Sequence, residues 1–128
     1  MLVPTTAAYA VVLFVIFAVL SARAGLRRGR TGISIFYGDD MELAAAMRRH
    51  ANFVENVPLA LILMAIAELN GTSGTLLHVL GVALVVARIA HPIGLRHDNI
   101  AHPLRAVGAA GTMLVLAVLA GTVAWQLF

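Results

Sequence analysis

Four long apolar runs, joined by short polar connections, dominate this chain and leave it few ways to fold. They cover about Thr5 to Ala24, Met41 to Leu69, Thr75 to Leu95 and Pro103 to Leu127, and the stretch from Ala106 to Phe128 carries no charge. A helix rising about 1.5 Å per residue needs roughly 20 residues to cross about 30 Å of hydrocarbon. Each run is long enough. Backbone groups inside a bilayer must all pair, which leaves helices or a closed barrel, and the runs lack the strict alternation of barrel strands. Composition agrees: 61% of the 128 residues are hydrophobic and 12% are charged, against about 45–50% and about 25% in soluble domains. The sequence therefore predicts an all-α membrane protein, one domain over residues 1–128, folded as a four-transmembrane-helix bundle.

The connections set the topology. Gly25 to Asp40 reads as a basic, glycine-bearing loop, Asn70-Gly71-Thr72-Ser73-Gly74 as a short turn, and Arg96 to His102 as a polar link before Pro103, a residue suited to a helix start. All nine basic residues are arginine. Arg23, Arg27, Arg28, Arg30, Arg96 and Arg105 fall near the first or third connection, while the second connection and both chain ends have none. The positive-inside rule then places that face in the cytoplasm and both termini outside. The first run carries no charge before Arg23, which suits a retained helix and not a cleaved signal peptide. A net charge of +3 can point to nucleic acid, but these arginines flank apolar spans and fit a membrane face. The lack of cysteine excludes thiolate metal sites and a cysteine nucleophile.

Polar residues enter the second run in order. At 100° per residue, Arg48, Asn52 and Glu55 fall within about 60° of arc, with Leu59 and Ile62 continuing the stripe deeper and His50 on the other side. A charge at mid-bilayer costs roughly 2.5–3.5 kcal/mol on insertion scales, so Arg48 and Glu55 should face protein or a wet cavity. An interhelical ion pair that only fixes packing is the simpler alternative. In the third run Arg88, His91 and Leu95 share a face; snorkelling of Arg88 and helix capping by His91 are the plain readings. Pro58 and Pro92 each free a carbonyl four residues back, at Val54 and Arg88. Arg105 opens the fourth run and Arg23 closes the first. Several guanidinium forks at one depth suit an anion, and positive charge also lowers the pKa of a thiol. The positive-inside rule alone would account for Arg23 and Arg105. His97, Asp98 and His102 lie too loosely for a metal site, and none is assigned. Gly108, Gly111, Thr112 and Gly121, with Ala106, Ala110 and Ala117, suit close helix packing within or between subunits.

The stretch Arg48, His50, Asn52, Glu55, Asn56-Val57-Pro58 resembles the second-helix signature of the MAPEG family, the membrane-associated proteins in eicosanoid and glutathione metabolism. Arg88-Ile89-Ala90-His91 matches the family's third-helix Arg-x-x-His. Arg105 matches the arginine opening its fourth helix, and Arg23 more loosely one closing its first. The resemblance implies a homotrimer binding glutathione as cosubstrate between subunits. Arg48, Asn52, Glu55, Arg88, His91 and Arg23 would hold the peptide, Arg105 would stabilise the thiolate, and a lipophilic small-molecule substrate would arrive from membrane lipids. It implies a glutathione-dependent transferase or peroxidase. The alternative is a non-catalytic trimeric scaffold or a protein binding an anionic lipid or another thiol. Two tyrosine positions of the eicosanoid branch hold Leu95 and Ala109 here, and the short loops resemble the compact bacterial branch, which implies a bacterial inner membrane.

Overall fold

A computed structural model describes residues Met1–Phe128. It contains four helices: α1 (Pro4–Thr31), α2 (Met41–Leu69), α3 (Gly74–Gly94) and α4 (Pro103–Trp125). Each is long and apolar enough to cross a membrane. Helix starts follow local chemistry. Pro4 and Pro103 open α1 and α4, where their missing N–H costs nothing. Asp40 Oδ1 accepts the N–H groups of Glu42 and Leu43 at 3.0 Å, and Ser73 Oγ accepts Leu76 N–H.

One expectation needs correction. The segment from Gly25 does not begin a loop; α1 continues to Thr31, and Arg27, Arg28 and Arg30 ride on it. Hydropathy marks where lipid ends, and arginine is a good helix former in water. The helix stops at Gly32, which takes the left-handed conformation (φ 68°) and donates its N–H to the Arg28 carbonyl. Small shifts occur elsewhere: α3 begins at Gly74 and ends at Gly94, and α4 ends at Trp125.

The helices form a four-cornered bundle. The neighbours are α1–α2, α2–α4, α4–α3 and α3–α1; α2 touches α3 across the diagonal, and α1 does not reach α4. Its narrow core includes Leu13, Phe53, Met64, Leu84 and Leu119. Only 26 of 128 residues are buried, while Phe14, Val15, Ile62, Val86 and Leu114 stay exposed. Intramolecular burial therefore cannot account for the apolar composition, whereas a lipid environment can.

Both ends are tied by polar contacts. At the end bearing the chain termini, the Glu68 carboxylate accepts the N–H groups of Thr5 and Thr6 at 2.8 Å and the Thr6 hydroxyl at 2.7 Å. It thereby neutralises the positive end of the α1 dipole. Gln126 Nε2 donates to Thr72 Oγ1 at 2.8 Å. At the arginine-bearing end, Arg27 grips Asp40 through two hydrogen bonds of 2.8 and 3.0 Å. These hold the Asp40 carboxyl below its usual range, aided by the Leu43 N–H. The lowered pKa means that this contribution is complete above about pH 4 and is lost only as pH falls through the depressed value. Proteolysis of segment 32–39 should thus be the same at about pH 7 and about pH 5, and should rise in Asp40→Asn.

The close approach of α3 and α4 depends on missing side chains. A Cβ on Gly108 would lie 2.6 Å from His91 Cα, and one on Gly94 would strike the backbone of Leu104 and Arg105. Gly111 also faces Ala87 of α3, whereas Gly121 meets open space. Gly108, Gly111 and Thr112 therefore serve packing within the chain. Gly108→Ala should destabilise the protein by about 1–3 kcal/mol through forced separation of the two helices. Gly121→Ala should be neutral or stabilise by up to about 1 kcal/mol. Thermal unfolding in detergent compares them, and equal midpoints would contradict this account.

Candidate functional site

The second and third helices meet at a buried charge. Arg88 is 2% exposed. Its Nη1 donates to Asn52 Oδ1 of α2 at 2.9 Å, and its Nη2 donates to the Gly108 carbonyl of α4 at 3.2 Å. The same carbonyl accepts the Thr112 hydroxyl at 2.8 Å. Nε has no partner. Arg88 does not snorkel; it pins three helices and orients the Asn52 amide.

In front of that contact lies a recess of about 280 Å³. Arg48 and Asn52 reach it from α2, His91 and Leu95 from the end of α3, His97 from the following loop and Arg105 from α4. Leu95 N–H donates to the His91 carbonyl at 2.8 Å, closing the last turn of α3. Arg48 Nη1 pairs with Glu55 Oε1 at 2.8 Å, two helical turns apart on α2. The pair lies within one helix, where the simpler sequence reading has it bridging two, and it is not in an interior: the two side chains are 58% and 50% exposed on the outer face of α2. The recess adjoins an apolar hollow of about 400 Å³ lined by Tyr37, Met41, Met47 and Ala51, sharing Ala44 and Arg48 with it. A polar, cationic pocket thus opens beside an oily one.

Four of the seven expected site residues line this recess directly: Arg48, Asn52, His91 and Arg105. Arg88 backs it, and Glu55 is joined to it through Arg48. Arg23 is not part of it within one protomer. It lies on α1 beside Arg49, at the mouth of a larger groove of about 440 Å³ between α1 and α3. The first helix occupies the corner opposite α4, so Arg23 and Arg105 diverge. His50 points away from the recess as expected, stacking near Phe17 of α1 at 5.3 Å between centroids.

The third connection forms ion pairs. Arg96 grips Asp98 through two bonds of 3.1 Å, holding that carboxyl below its usual range. His97 Nε2 lies 3.0 Å from Glu42 Oε1, and His102 Nδ1 accepts Leu104 N–H. The carbonyls freed by Pro58 and Pro92 attract no side chain, although Asn56 Nδ2 donates to the Asn52 carbonyl at 2.8 Å. Sequence reasoning missed Arg49, whose Nε donates to the Leu95 carbonyl at 2.9 Å. Its place in the Arg48-Arg49 pair was its only signal.

A model of the MAPEG family matches residues 6–125. The chain belongs to the MAPEG family. It is 33% identical over 122 residues to Inner membrane protein YecN of Escherichia coli strain K12, covering 88% of this chain and 93% of that protein. The YecN protein of Escherichia coli O6:H1 strain CFT073 gives the same values. Family membership includes glutathione transferases and peroxidases, and the relatives are named only by their membrane location. This MAPEG protein is accordingly a multi-pass helical membrane protein.

The Arg88 contact generates a direct test of the site's frame. Replacing Asn52 by Leu removes the only side-chain acceptor of a buried cation. A hydrogen bond to a charged group contributes about 1.5–3 kcal/mol. Asn52→Leu should therefore lower thermal stability by about that amount, while Asn56→Leu, which loses only a bond to the Asn52 carbonyl, should cost less. Equal losses would show that Arg88 does not depend on Asn52.

Proposed function

We propose that this protein binds glutathione and presents its thiolate to a lipophilic electrophile, as a membrane-embedded transferase or peroxidase. The observation that carries this reading is the convergence of Arg48, Asn52, His91 and Arg105 from three elements on one recess that adjoins an apolar hollow. Glutathione has two carboxylates, one ammonium and one thiol. Arginine forks match carboxylates, Glu55 matches the ammonium, and a guanidinium favours thiolate over thiol. Arg105 forms none of the protein's ion pairs, so its charge is available to a ligand. In the conjugation branch the sulfur attacks an electrophilic carbon, an S–C bond forms, and the leaving group or opened ring departs with the electron pair and is protonated by water. In the peroxidase branch the thiolate attacks the terminal peroxide oxygen, and the O–O bond breaks with release of the alkoxide, which water protonates to the alcohol. A second glutathione attacks the resulting sulfenic acid, so that the disulfide forms and the hydroxyl leaves as water.

The working unit in this reading is a homotrimer in a bacterial inner membrane, the location that names the Escherichia coli relatives. Support comes from the Arg48–Glu55 pair, which lies exposed on α2, a helix long and apolar enough to cross a membrane. Charge there is costly unless covered. A neighbouring copy would both cover the pair and complete the recess.

A second reading is a non-catalytic trimeric scaffold or a protein that binds another anionic thiol or lipid at the same recess. The presence of Leu95 within the recess favours it, because an apolar side chain stands where a hydrogen-bond donor to a thiol would be useful.

Calorimetry and ultraviolet thiolate absorbance with glutathione separate these readings. Wild-type protein should bind glutathione and show thiolate. Arg105→Gln should retain binding but lose thiolate absorbance. Arg48→Gln should weaken binding roughly ten- to a hundredfold, as expected for a charge-assisted bond of about 1.5–3 kcal/mol. No heat and no thiolate in an intact trimer would remove the glutathione reading and leave the scaffold.

A further inference from the structure

The largest hollow of the molecule is not the recess. It is the groove between α1 and α3, about 440 Å³, whose walls include Val15, Val19, Ile89 and Ile93. All four side chains lie on segments long and apolar enough to cross a membrane. At one end the groove is closed by Arg23 and Arg49. These two guanidiniums also line a second, basic hollow of about 310 Å³, together with Arg27, Arg30 and Glu42. The two hollows therefore adjoin across Arg23 and Arg49, an oily limb beside a cationic head.

We propose that this feature is a binding site for an anionic phospholipid of the leaflet at the arginine-bearing face. One acyl chain lies along the α1–α3 groove, and the phosphate sits between Arg23 and Arg49. The two-part chemistry selects the occupant. An apolar molecule alone would leave the arginines unmatched, and a free anion would leave the groove empty. Charge balance points the same way. Arg27 is matched by Asp40, and Glu42, 3.0 Å from His97 Nε2, is the single carboxylate in a hollow lined by four arginines. Arg23 and Arg30 form none of the ion pairs in the protein, and Arg49 engages a backbone carbonyl through Nε alone, leaving both Nη groups free of protein partners. Planar guanidiniums from two different helices can hold one phosphate from two directions. A positive-inside bias calls for arginine near the headgroups, but not for two helices to place theirs over a shared apolar groove. Within one chain the site shares no residue with the recess or its apolar hollow, although Arg23 is among the residues that the family resemblance assigns to the peptide.

Native mass spectrometry and thermal unfolding of the whole protein test this, with phosphatidylglycerol and phosphatidylcholine of identical acyl chains as probes. Phosphatidylglycerol should be retained on wild-type protein and raise its unfolding midpoint, and phosphatidylcholine should do neither. Glycerol phosphate at equal concentration should have no effect, which separates a lipid site from a free-phosphate site. Arg23→Gln with Arg30→Gln, which disturbs no protein contact, should abolish the preference, and Arg96→Gln, on the third connection, should leave it intact. Should Arg49→Gln fail to fold because Leu95 loses its donor, the Arg23 and Arg30 pair still decides. Val19→Trp, which fills the oily limb while keeping every arginine, should also reduce retention. Equal retention of the two lipids, a full effect from glycerol phosphate, or an undiminished preference in the Arg23 and Arg30 double variant would each overturn the proposal.

Discussion

The bundle depends on a single buried guanidinium. Arg88 lies where α2, α3 and α4 meet, and a charge there is tolerable only if its donors find acceptors. Asn52 supplies one from α2. The other is a backbone carbonyl of α4, within reach because Gly108 has no side chain to hold the helix away. Close packing and charge satisfaction are therefore the same fact seen from two elements. The recess follows from it: once Arg88 fixes the three helices, the next groups toward the arginine-bearing face are Arg48, His91 and Arg105. Their spacing is inherited from the contact behind them.

The two ends of the bundle are stabilised by different means. At the end with the chain termini, one carboxylate on α2 receives the first N–H groups of α1, so a single acidic residue satisfies donors that have no intrahelical partner. At the other end the chain gathers its arginines and pairs only some of them. That surplus leaves guanidinium groups on one face without an ion-pair partner in the protein. A fully paired set would tighten the bundle but leave nothing to hold a ligand.

Much of this was legible in the sequence, and the limits have physical causes. Hydropathy runs located the four spans because lipid acts on long averages of side-chain polarity. The polar face of α2 followed from helical periodicity, and Arg48, Asn52, His91 and Arg105 do share one recess. The end of α1 was missed because arginine-rich turns leave the membrane without ceasing to be helical. Arg23 was grouped with Arg105 by depth and by a looser family match; depth along the membrane normal says nothing about direction around the bundle, and within one chain the two helices occupy opposite corners. Glu68 and Gly108 act through partners some 62 and 17 positions away, at Thr6 and His91. No local pattern announces such contacts.

The recess and the α1–α3 groove are separate in residues but not in mechanics. Arg49, at the mouth of the groove, donates to the carbonyl of Leu95, whose side chain lines the recess. Glu42, in the basic hollow, faces His97, which also lines the recess. Both contacts anchor the start of the third connection, which has little else to hold it: its other ion pair, Arg96 with Asp98, is internal. A phosphate drawing Arg49 outward would therefore act on Leu95 directly, and a ligand shifting Leu95 would act back on Arg49. Linkage requires any such effect to be equal in both directions. Were both sites filled as proposed, Arg49 would be the residue that joins them, and its contact is with the backbone carbonyl at position 95 and not with the side chain there.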